Sequence, residues 1–193
     1  MKYILVVLVL INYILLTASD LSFYREELSF EVKADTFSVD GVYYFRNSSR
    51  QTITRTIFYP LPQREDLLTI DSFLVHNLTA NAEIEISQHN LKGISFPIKI
   101  PAGDSLAVRV CYSQLMKENS AEYIFTSTSS WNIPLEKADF QLILPAELEL
   151  ASVNFAIDEV RVENGTTTFF WQRRNFFPAR NLLMKFKLAT VDN

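Results

Sequence analysis

The chain has 193 residues, 48% of them hydrophobic, and a formal net charge of −4. A mildly acidic chain argues against nucleic acid as the main partner, because that binding relies on clustered positive charge that meets phosphates. A chain of this length buries roughly 70% of its unfolded surface on folding, so it needs no disulfide or metal to hold its core together.

The first 19 residues have the pattern of a secretory signal peptide. Lys2 precedes an apolar run over residues 4–16, and the small residues Ala18 and Ser19 follow it. The run is shorter than the roughly 20 apolar residues of a membrane span. We therefore predict that residues 1–19 are cleaved on export to the periplasm, the cell surface or the secreted space, with an uncleaved anchor as the alternative. The remaining 17 basic and 22 acidic residues have a net charge of −5, and we expect no stable membrane span.

Alternation of apolar and polar residues dominates the rest of the chain, which is typical of half-buried strands. Leu28, Phe30 and Val32, for example, alternate with polar neighbours. Such runs, separated by turns every 8–12 residues or so, predict an immunoglobulin-like sandwich over residues 20–115. We predict a second sandwich over residues 116–193.

The predicted fold class is thus all-β: an antiparallel β-sandwich, arranged as two tandem immunoglobulin-like sandwiches after the signal peptide. One larger sandwich is the alternative. Within the second half we predict a strand at residues 122–128. We also predict a hairpin at Asn164-Gly165, since both central residues of a type I′ turn need a positive φ.

Residues for catalysis and metal binding are scarce. His76 and His89 are the only histidines, and a hairpin that pairs His76 with Glu83 would separate the two imidazoles by about 20 Å, at roughly 3.4 Å per residue. The lone Cys111 cannot form an intramolecular disulfide and lacks the local signature of a nucleophile. We predict no catalytic residue, no metal and no cofactor. A hydrolase that joins either histidine to Cys111, a serine or a carboxylate is the least favoured alternative.

Three asparagines match the glycosylation acceptor pattern, and all three fall in predicted turns. Their use depends on the host. They are Asn47, Asn77 and Asn164.

The sequence FFWQRRNFFPAR at residues 169–180 opens the most basic part of the chain, with no acidic residue from Gly165 to Val191. One interpretation is an outward basic face for an anionic glycan, a lipid headgroup or an acidic protein. The favoured interpretation places Phe169 and Trp171 in the core and leaves the basic heads in solvent. The candidate basic face consists of Arg173, Arg174, Arg180, Lys185 and Lys187.

Four stretches of the chain share a pattern with known proteins: RNSS at residues 46–49 with YPLP at 59–62, IPAG at 100–103, YIFTST at 123–128, and FW at 170–171 with NF at 175–176. In this order they resemble a family of exported bacterial proteins known as domain of unknown function 4424. The resemblance implies export and an all-β fold, and it implies no activity. The first stretch is also similar to the sandwich modules of vault and inter-alpha-trypsin-type proteins. Asn181 departs from the pattern, since the resemblance implies an acidic residue there.

These observations predict an exported, non-catalytic interaction or structural module that binds an envelope or secreted protein through a sheet face or edge. The alternative is a carbohydrate-binding module, which needs Trp131, Trp171 or Phe176 on an exposed flat face.

Overall fold

The computed structural model describes residues 20–62, 67–69, 73–116 and 118–189. The predicted signal peptide lies outside these ranges. Within them, no helix is long and apolar enough to cross a membrane.

The described residues form fifteen strands and one 3-10 helix, which spans Thr126–Trp131. The strands are β1 Leu21–Lys33, β2 Thr36–Asn47, β3 Ile53–Pro60, β4 Leu67–Thr69, β5 Leu74–Asn77, β6 Ala82–Glu83, β7 Gln88–Asn90, β8 Gly93–Ile100, β9 Ser105–Met116, β10 Ser120–Tyr123, β11 Leu135–Pro145, β12 Leu148–Val153, β13 Glu159–Glu163, β14 Thr166–Phe176 and β15 Leu182–Leu188.

Nine strands form one large sheet, in which eight follow the order β13-β14-β11-β1-β2-β9-β5-β6 and β4 pairs with β9. At its centre, β1 pairs antiparallel with β2 and parallel with β11. Strands from both sides of the expected boundary at residues 115–116 therefore lie side by side. The prediction of an all-β sandwich is confirmed, whereas its arrangement as two tandem immunoglobulin-like sandwiches is not.

Two three-stranded sheets form the second layer, in the orders β3-β8-β7 and β10-β15-β12. The side chains between the layers make one continuous hydrophobic cluster. Phe30 from the large sheet, Phe96 from the first small sheet and Met184 from the second are all almost completely buried in it. Burial of apolar surface between the layers is thus shared by all three sheets, and it is the main favourable contribution to folding.

A β-bulge at Tyr24 changes which side chains of β1 face the core. The pairing of β1 with β2 skips this residue. Leu21 and Phe23 are buried before the bulge, and Glu26 and Leu28 are buried after it. Because side chains alternate along a strand, the extra residue moves the core-facing set from odd to even positions. A glutamate consequently points into the core.

The 3-10 helix replaces part of the strand predicted at residues 122–128. Its hydroxyl groups bond to carbonyl oxygens three residues earlier: Ser129 Oγ donates to Thr126 O at 2.6 Å, and Ser130 Oγ donates to Ser127 O at 2.7 Å. Serine and threonine compete with strand pairing in this way, so a run rich in both does not specify a strand.

Candidate functional site: a cleft between the sheets

A cleft of about 540 Å³ opens between the two small sheets, above the large sheet. Its floor comes from β1 and β2, one wall is β3, and the other wall is the end of β10 with the 3-10 helix. Small-molecule sites in proteins occupy roughly 300–1,000 Å³, so the cleft has the size of a ligand site. Its lining consists of Phe23, Glu26, Tyr43, Phe45, Arg55, Thr56, Ile57, Phe58, Tyr59, Pro60, Phe96, Tyr123, Ile124, Thr126, Ser127, Thr128, Ser130 and Trp131.

The cleft exists because the second layer is split. β3 is the outer strand of one small sheet, and β10 is the outer strand of the other. The consecutive residues 55–60 all line the cleft. Since neighbouring side chains of a strand point to opposite faces, this means that the backbone edge of β3 borders the cleft. Within the described part of the chain, β3 pairs only with β8, so this edge has no strand beside it.

Three tyrosine hydroxyls, one from each sheet, meet beside the cleft. The hydroxyl oxygen of Tyr43 on β2 lies 2.9 Å from that of Tyr59 on β3 and 2.7 Å from that of Tyr123 on β10. The Tyr59 hydroxyl also donates to Tyr123 at 3.4 Å. Burial raises the pKa of each phenol well above its ordinary value, so all three stay protonated at neutral pH. The triangle ties the three sheets together, because a buried hydroxyl without a partner costs free energy.

Gly41 makes room for the ring of Tyr43. A Cβ atom at position 41 would lie 2.7 Å from Cζ of that ring and 2.8 Å from Cδ2 of Leu28. The tyrosine hydroxyl is held by its two partners, so the ring cannot move aside without breaking their hydrogen bonds. Position 41 therefore requires glycine, although glycine weakens a strand interior.

Glu26 places a carboxyl group beside the tyrosines. It is only 2% exposed, pairs with Tyr43 in the strand register and lines the cleft. Burial raises the pKa of the Glu26 carboxyl to about 8, because the carboxylate form loses its hydration. Its Oε1 atom is buried and has no hydrogen-bond partner among the described residues. Such atoms are uncommon in native proteins, so this one requires an explanation.

Aromatic rings and an arginine frame the open side of the cleft. Trp131 is half-buried, and its ring centroid lies 6.0 Å from that of Phe23 and 5.6 Å from that of Phe45. Arg55 lines the cleft from β3 with an exposed side chain. It makes no ion pair within the described ranges. The cleft thus combines a carboxyl group at its floor, aromatic walls and a guanidinium at its mouth.

Asn181 fixes the 3-10 helix that forms one wall. Its Oδ1 atom accepts hydrogen bonds from the backbone N–H of Thr126 at 3.2 Å and from the Thr126 hydroxyl at 2.9 Å. Its Nδ2 atom donates to Oε1 of Glu122 at 2.8 Å. An ionised acidic residue, which the family resemblance implies at this position, could accept the first two bonds but could not donate the third.

Tyr43→Phe is expected to lower the free energy of unfolding by about 1–2 kcal/mol, and Tyr59→Phe by about half as much. Removal of the Tyr43 hydroxyl breaks both short bonds of the triangle, whereas removal of the Tyr59 hydroxyl leaves the 2.7 Å bond between Tyr43 and Tyr123 intact. Urea unfolding at pH 7 measures the free energy of unfolding of both variants and of the unmodified chain. An equal or larger loss for Tyr59→Phe would contradict the central position of Tyr43.

The five candidate basic residues are divided between the layers. Arg174 lies on the outer face of the large sheet, on β14. Lys185 and Lys187 lie on the outer face of a small sheet, because Met184 and Phe186, which alternate with them on β15, are buried. Arg173 and Arg180 donate to backbone carbonyl oxygens of the loop before β13. The set does not form one continuous basic face, which was one of the two interpretations of the sequence, since β14 and β15 belong to opposite layers.

Asn47, one candidate glycan acceptor, is completely buried at the end of β2. Its Nδ2 atom donates to the backbone oxygens of Gln51 at 2.8 Å, Ile100 at 3.0 Å and Pro101 at 2.9 Å. A glycan on this nitrogen would remove these bonds from the fold. The acceptor pattern at Asn47 is thus accounted for by a structural role.

The other two candidate acceptors lie in turns. Asn77 ends β5, and its Oδ1 atom accepts a hydrogen bond from the backbone N–H of Ala80 at 2.9 Å. Asn164 and Gly165 have φ angles of 50° and 72° between β13 and β14. The predicted hairpin at Asn164-Gly165 is confirmed.

The two histidines lie on strands of different sheets. His76 pairs with Glu83 in the register, as predicted, and its Nε2 atom lies 3.2 Å from Oδ1 of Asn81. His89 lies on β7 in a different sheet, where its ring packs edge-on against Phe73. Within the described part of the chain, neither imidazole forms a hydrogen bond with Cys111, a serine or a carboxylate, any one of which would serve the hydrolase alternative.

Cys111 bonds to a carboxylate. Its thiol donates to Oδ1 of Asp40 at 3.3 Å. Burial first, and then this hydrogen bond, raise the pKa of the Cys111 thiol to about 11. The thiolate is therefore a minor form at neutral pH, whereas a cysteine nucleophile reacts as the thiolate.

Most aromatic residues of the run at 169–180 pack in the core or against it, whereas Phe177 is 51% exposed. Trp171 is buried, and Phe176 packs against Phe125 and Phe140 with ring centroids 5.5 and 5.6 Å apart. Of the three aromatics that could form a carbohydrate platform, only Trp131 lines the cleft.

Sequence reasoning missed Glu26 and the tyrosine triangle. A signal for Glu26 is present in β1: the apolar residues fall at odd positions for Leu21 and Phe23, but at even positions from Leu28 onward. This change of parity indicates a bulge, and it assigns the even-numbered glutamate to the core face. No comparable signal identifies the tyrosines, which meet from three separate sheets.

The fold resembles solved structures of very different sequence. A candidate nutrient binding protein from Legionella pneumophila superposes with a TM-score of 0.72 at 10% identity, over 88% of this chain and 67% of that one. An M1 zinc metallopeptidase from Deinococcus radiodurans superposes with a TM-score of 0.51 at 10% identity, over 86% of this chain and 42% of the peptidase. No family model and no curated protein sequence matches the chain. The likeness concerns the fold alone, and the resemblance to family 4424 stays a prediction.

Proposed function

We propose that this chain is an exported, non-catalytic binding module whose cleft between the sheets takes a small organic ligand. The observation that carries the proposal is the buried Oε1 atom of Glu26, which lines the cleft without a partner among the described residues. A buried acceptor at the floor of a cavity of ligand size offers a hydrogen bond that a ligand can complete.

Two further observations support a binding role. The Legionella protein with the same fold over most of this chain is described as a candidate nutrient binding protein. The cleft also combines apolar walls with a few polar groups, which is the usual composition of a small-molecule site. A protein partner, expected from the sequence, stays part of the proposal, because the cleft-facing edge of β3 offers backbone groups to an extended segment.

A neutral sugar is the second candidate ligand. Trp131 presents part of its ring to the cleft, and the 3-10 helix lines the same space with the hydroxyls of Ser127 and Ser130. An aromatic surface beside hydroxyl groups suits a sugar ring.

The test is a pair of neighbouring substitutions on the 3-10 helix. Ser130 lines the cleft and Ser129 does not, yet both are exposed and both hydroxyls bond to a carbonyl three residues earlier. Calorimetric titration with a panel of neutral sugars, amino acids, amines and carboxylates is expected to find ligands for the unmodified chain. Ser130→Phe should weaken their binding at least about tenfold by filling the cleft, and Ser129→Phe should leave it unchanged.

The proposal fails if no compound of the panel binds at millimolar concentration. It fails equally if ligands bind the Ser130→Phe variant as tightly as they bind the unmodified chain.

A further inference from the structure

One acidic and one basic side chain line the cleft without a bonding partner in the part of the chain that the structure describes. Glu26 lies at the floor, with Oε1 buried and unbonded. Arg55 lies at the mouth, on the cleft-facing side of β3, with an exposed guanidinium and no ion pair. Arg46, near the end of β2, is by contrast paired with Glu136 at 2.8 Å.

The surroundings of Glu26 favour a cationic group as its partner. A neutral donor would leave the carboxylate form unfavourable in this buried position, whereas an ammonium group supplies both charge and hydrogen bonds. The rings of Phe23, Tyr43 and Phe45 line the same floor, and aromatic rings attract cations at their faces. An anionic group that faces solvent suits the guanidinium of Arg55.

We propose that the cleft binds a small zwitterion with an apolar body, of the size of a free amino acid, with its ammonium group at Glu26 and its carboxylate at Arg55. This inference rests on the proposed function and names the chemical class of its ligand. The volume of about 540 Å³ accommodates an amino acid with a large side chain.

Ligand binding should also depend on pH. The titratable groups that interact with Glu26 are the phenols of Tyr43 and Tyr123, which are bonded to that of Tyr59, and burial raises the pKa of all three well above the ordinary value. Glu26 is therefore the group of this cluster that changes charge near neutral pH. Because an ammonium group favours the carboxylate, affinity should rise from pH 6 to pH 8 and a proton should be released on binding.

Three compounds of similar shape distinguish the contributions of the ammonium group and the carboxylate of the ligand to binding. L-Phenylalanine carries both, 2-phenylethylamine carries only the ammonium group, and 3-phenylpropanoate carries only the carboxylate. Calorimetric titration is expected to show that L-phenylalanine binds at least about tenfold more tightly than either single-charge probe, since each charged hydrogen bond is worth roughly one to two factors of ten.

Two substitutions assign the charges to residues. Glu26→Gln should lower the affinity for L-phenylalanine and 2-phenylethylamine by about 10- to 100-fold and leave the affinity for 3-phenylpropanoate unchanged. Arg55→Gln should lower the affinity for L-phenylalanine and 3-phenylpropanoate and leave the affinity for 2-phenylethylamine unchanged. Arg50→Gln, which changes an exposed arginine outside the cleft lining, is the matched control and should change nothing.

The inference is overturned if neither L-phenylalanine nor L-leucine binds while a neutral sugar does so in a manner sensitive to Ser130→Phe; the proposed function then stands with another ligand. It is also overturned if 2-phenylethylamine binds as tightly as L-phenylalanine and Arg55→Gln has no effect, which would point to a ligand with an amine alone, such as the amino terminus of a peptide. If nothing in either experiment binds, the proposed function itself fails.

Discussion

Between pH 5 and pH 7.5, the free energy of unfolding is expected to fall by roughly 3 kcal/mol through Glu26 alone. The pKa of this carboxyl is about 8 in the folded chain, against an ordinary value of 4.5. Between these two values the unfolded state has released its proton and the folded state still holds it. Stability from this group is therefore fully present below pH 4.5 and decreases by about 1.4 kcal/mol for each pH unit up to about 8.

Glu26→Gln provides the control, because an amide of nearly the same shape cannot titrate. Urea unfolding of both proteins at pH 5, 6, 7 and 7.5 gives the difference in stability as a function of pH. Contributions from all other groups, including the two histidines, cancel in that difference. Parallel stability curves for the two proteins would show that Glu26 ionises normally in the folded chain.

Asn47→Asp is expected to lower the free energy of unfolding by about 3–5 kcal/mol at pH 7, the range found when a buried charge is left without a partner. The change is nearly isosteric, but it replaces an NH₂ group by an oxygen. That oxygen would face the three backbone carbonyl oxygens to which Nδ2 now donates. Because these carbonyls belong to two chain segments, the repulsion would open the junction of the β2 end with the turn after β8.

Asn77→Asp is the matched control, since Asn77 shares the Asn-x-Ser/Thr pattern but, among the described residues, its side chain bonds only through Oδ1, as the acceptor for Ala80. An aspartate keeps that acceptor, so its effect should stay within about 0.5 kcal/mol. Thermal unfolding of both variants at pH 7 measures the contrast. Similar losses for the two substitutions would remove the structural role assigned to Asn47.

Local sequence patterns predict the strands well and the layers poorly. Alternation along β1 and β2 and the Asn164-Gly165 turn depend on neighbouring residues, so the sequence displays them directly. The partner of a strand is a different matter. The parallel pairing of β1 with β11 joins distant segments, and alternation has the same period whichever strand lies alongside. Two short sandwiches and one large sheet with a split second layer therefore look alike in the sequence.

The candidate site was harder still to predict. Its carboxyl group lies in the core only because Tyr24 is bulged, and the change of parity that reveals the bulge spans just a few residues. The role of Arg55 depends on β3 bordering a gap, which alternation cannot show. Conversely, the basic residues of the run at 169–180 are close together in the sequence, yet the fold places them on different surfaces. A cluster of basic residues in the sequence therefore indicated the candidate site less well than a single charged residue at a core-facing position of a strand.

The central pairing of β1 with β11 also has a kinetic consequence. Gln141 donates to the hydroxyl of Ser29 at 3.0 Å across a sequence separation of 112 residues. One edge of β1 must therefore stay unpaired until β11, more than 100 residues further along the chain, is available. Closing so long a loop precedes most of the stabilising contacts, which slows folding. The edge of β1 that pairs with β11 is therefore exposed during folding for longer than the opposite edge, which pairs with the neighbouring β2.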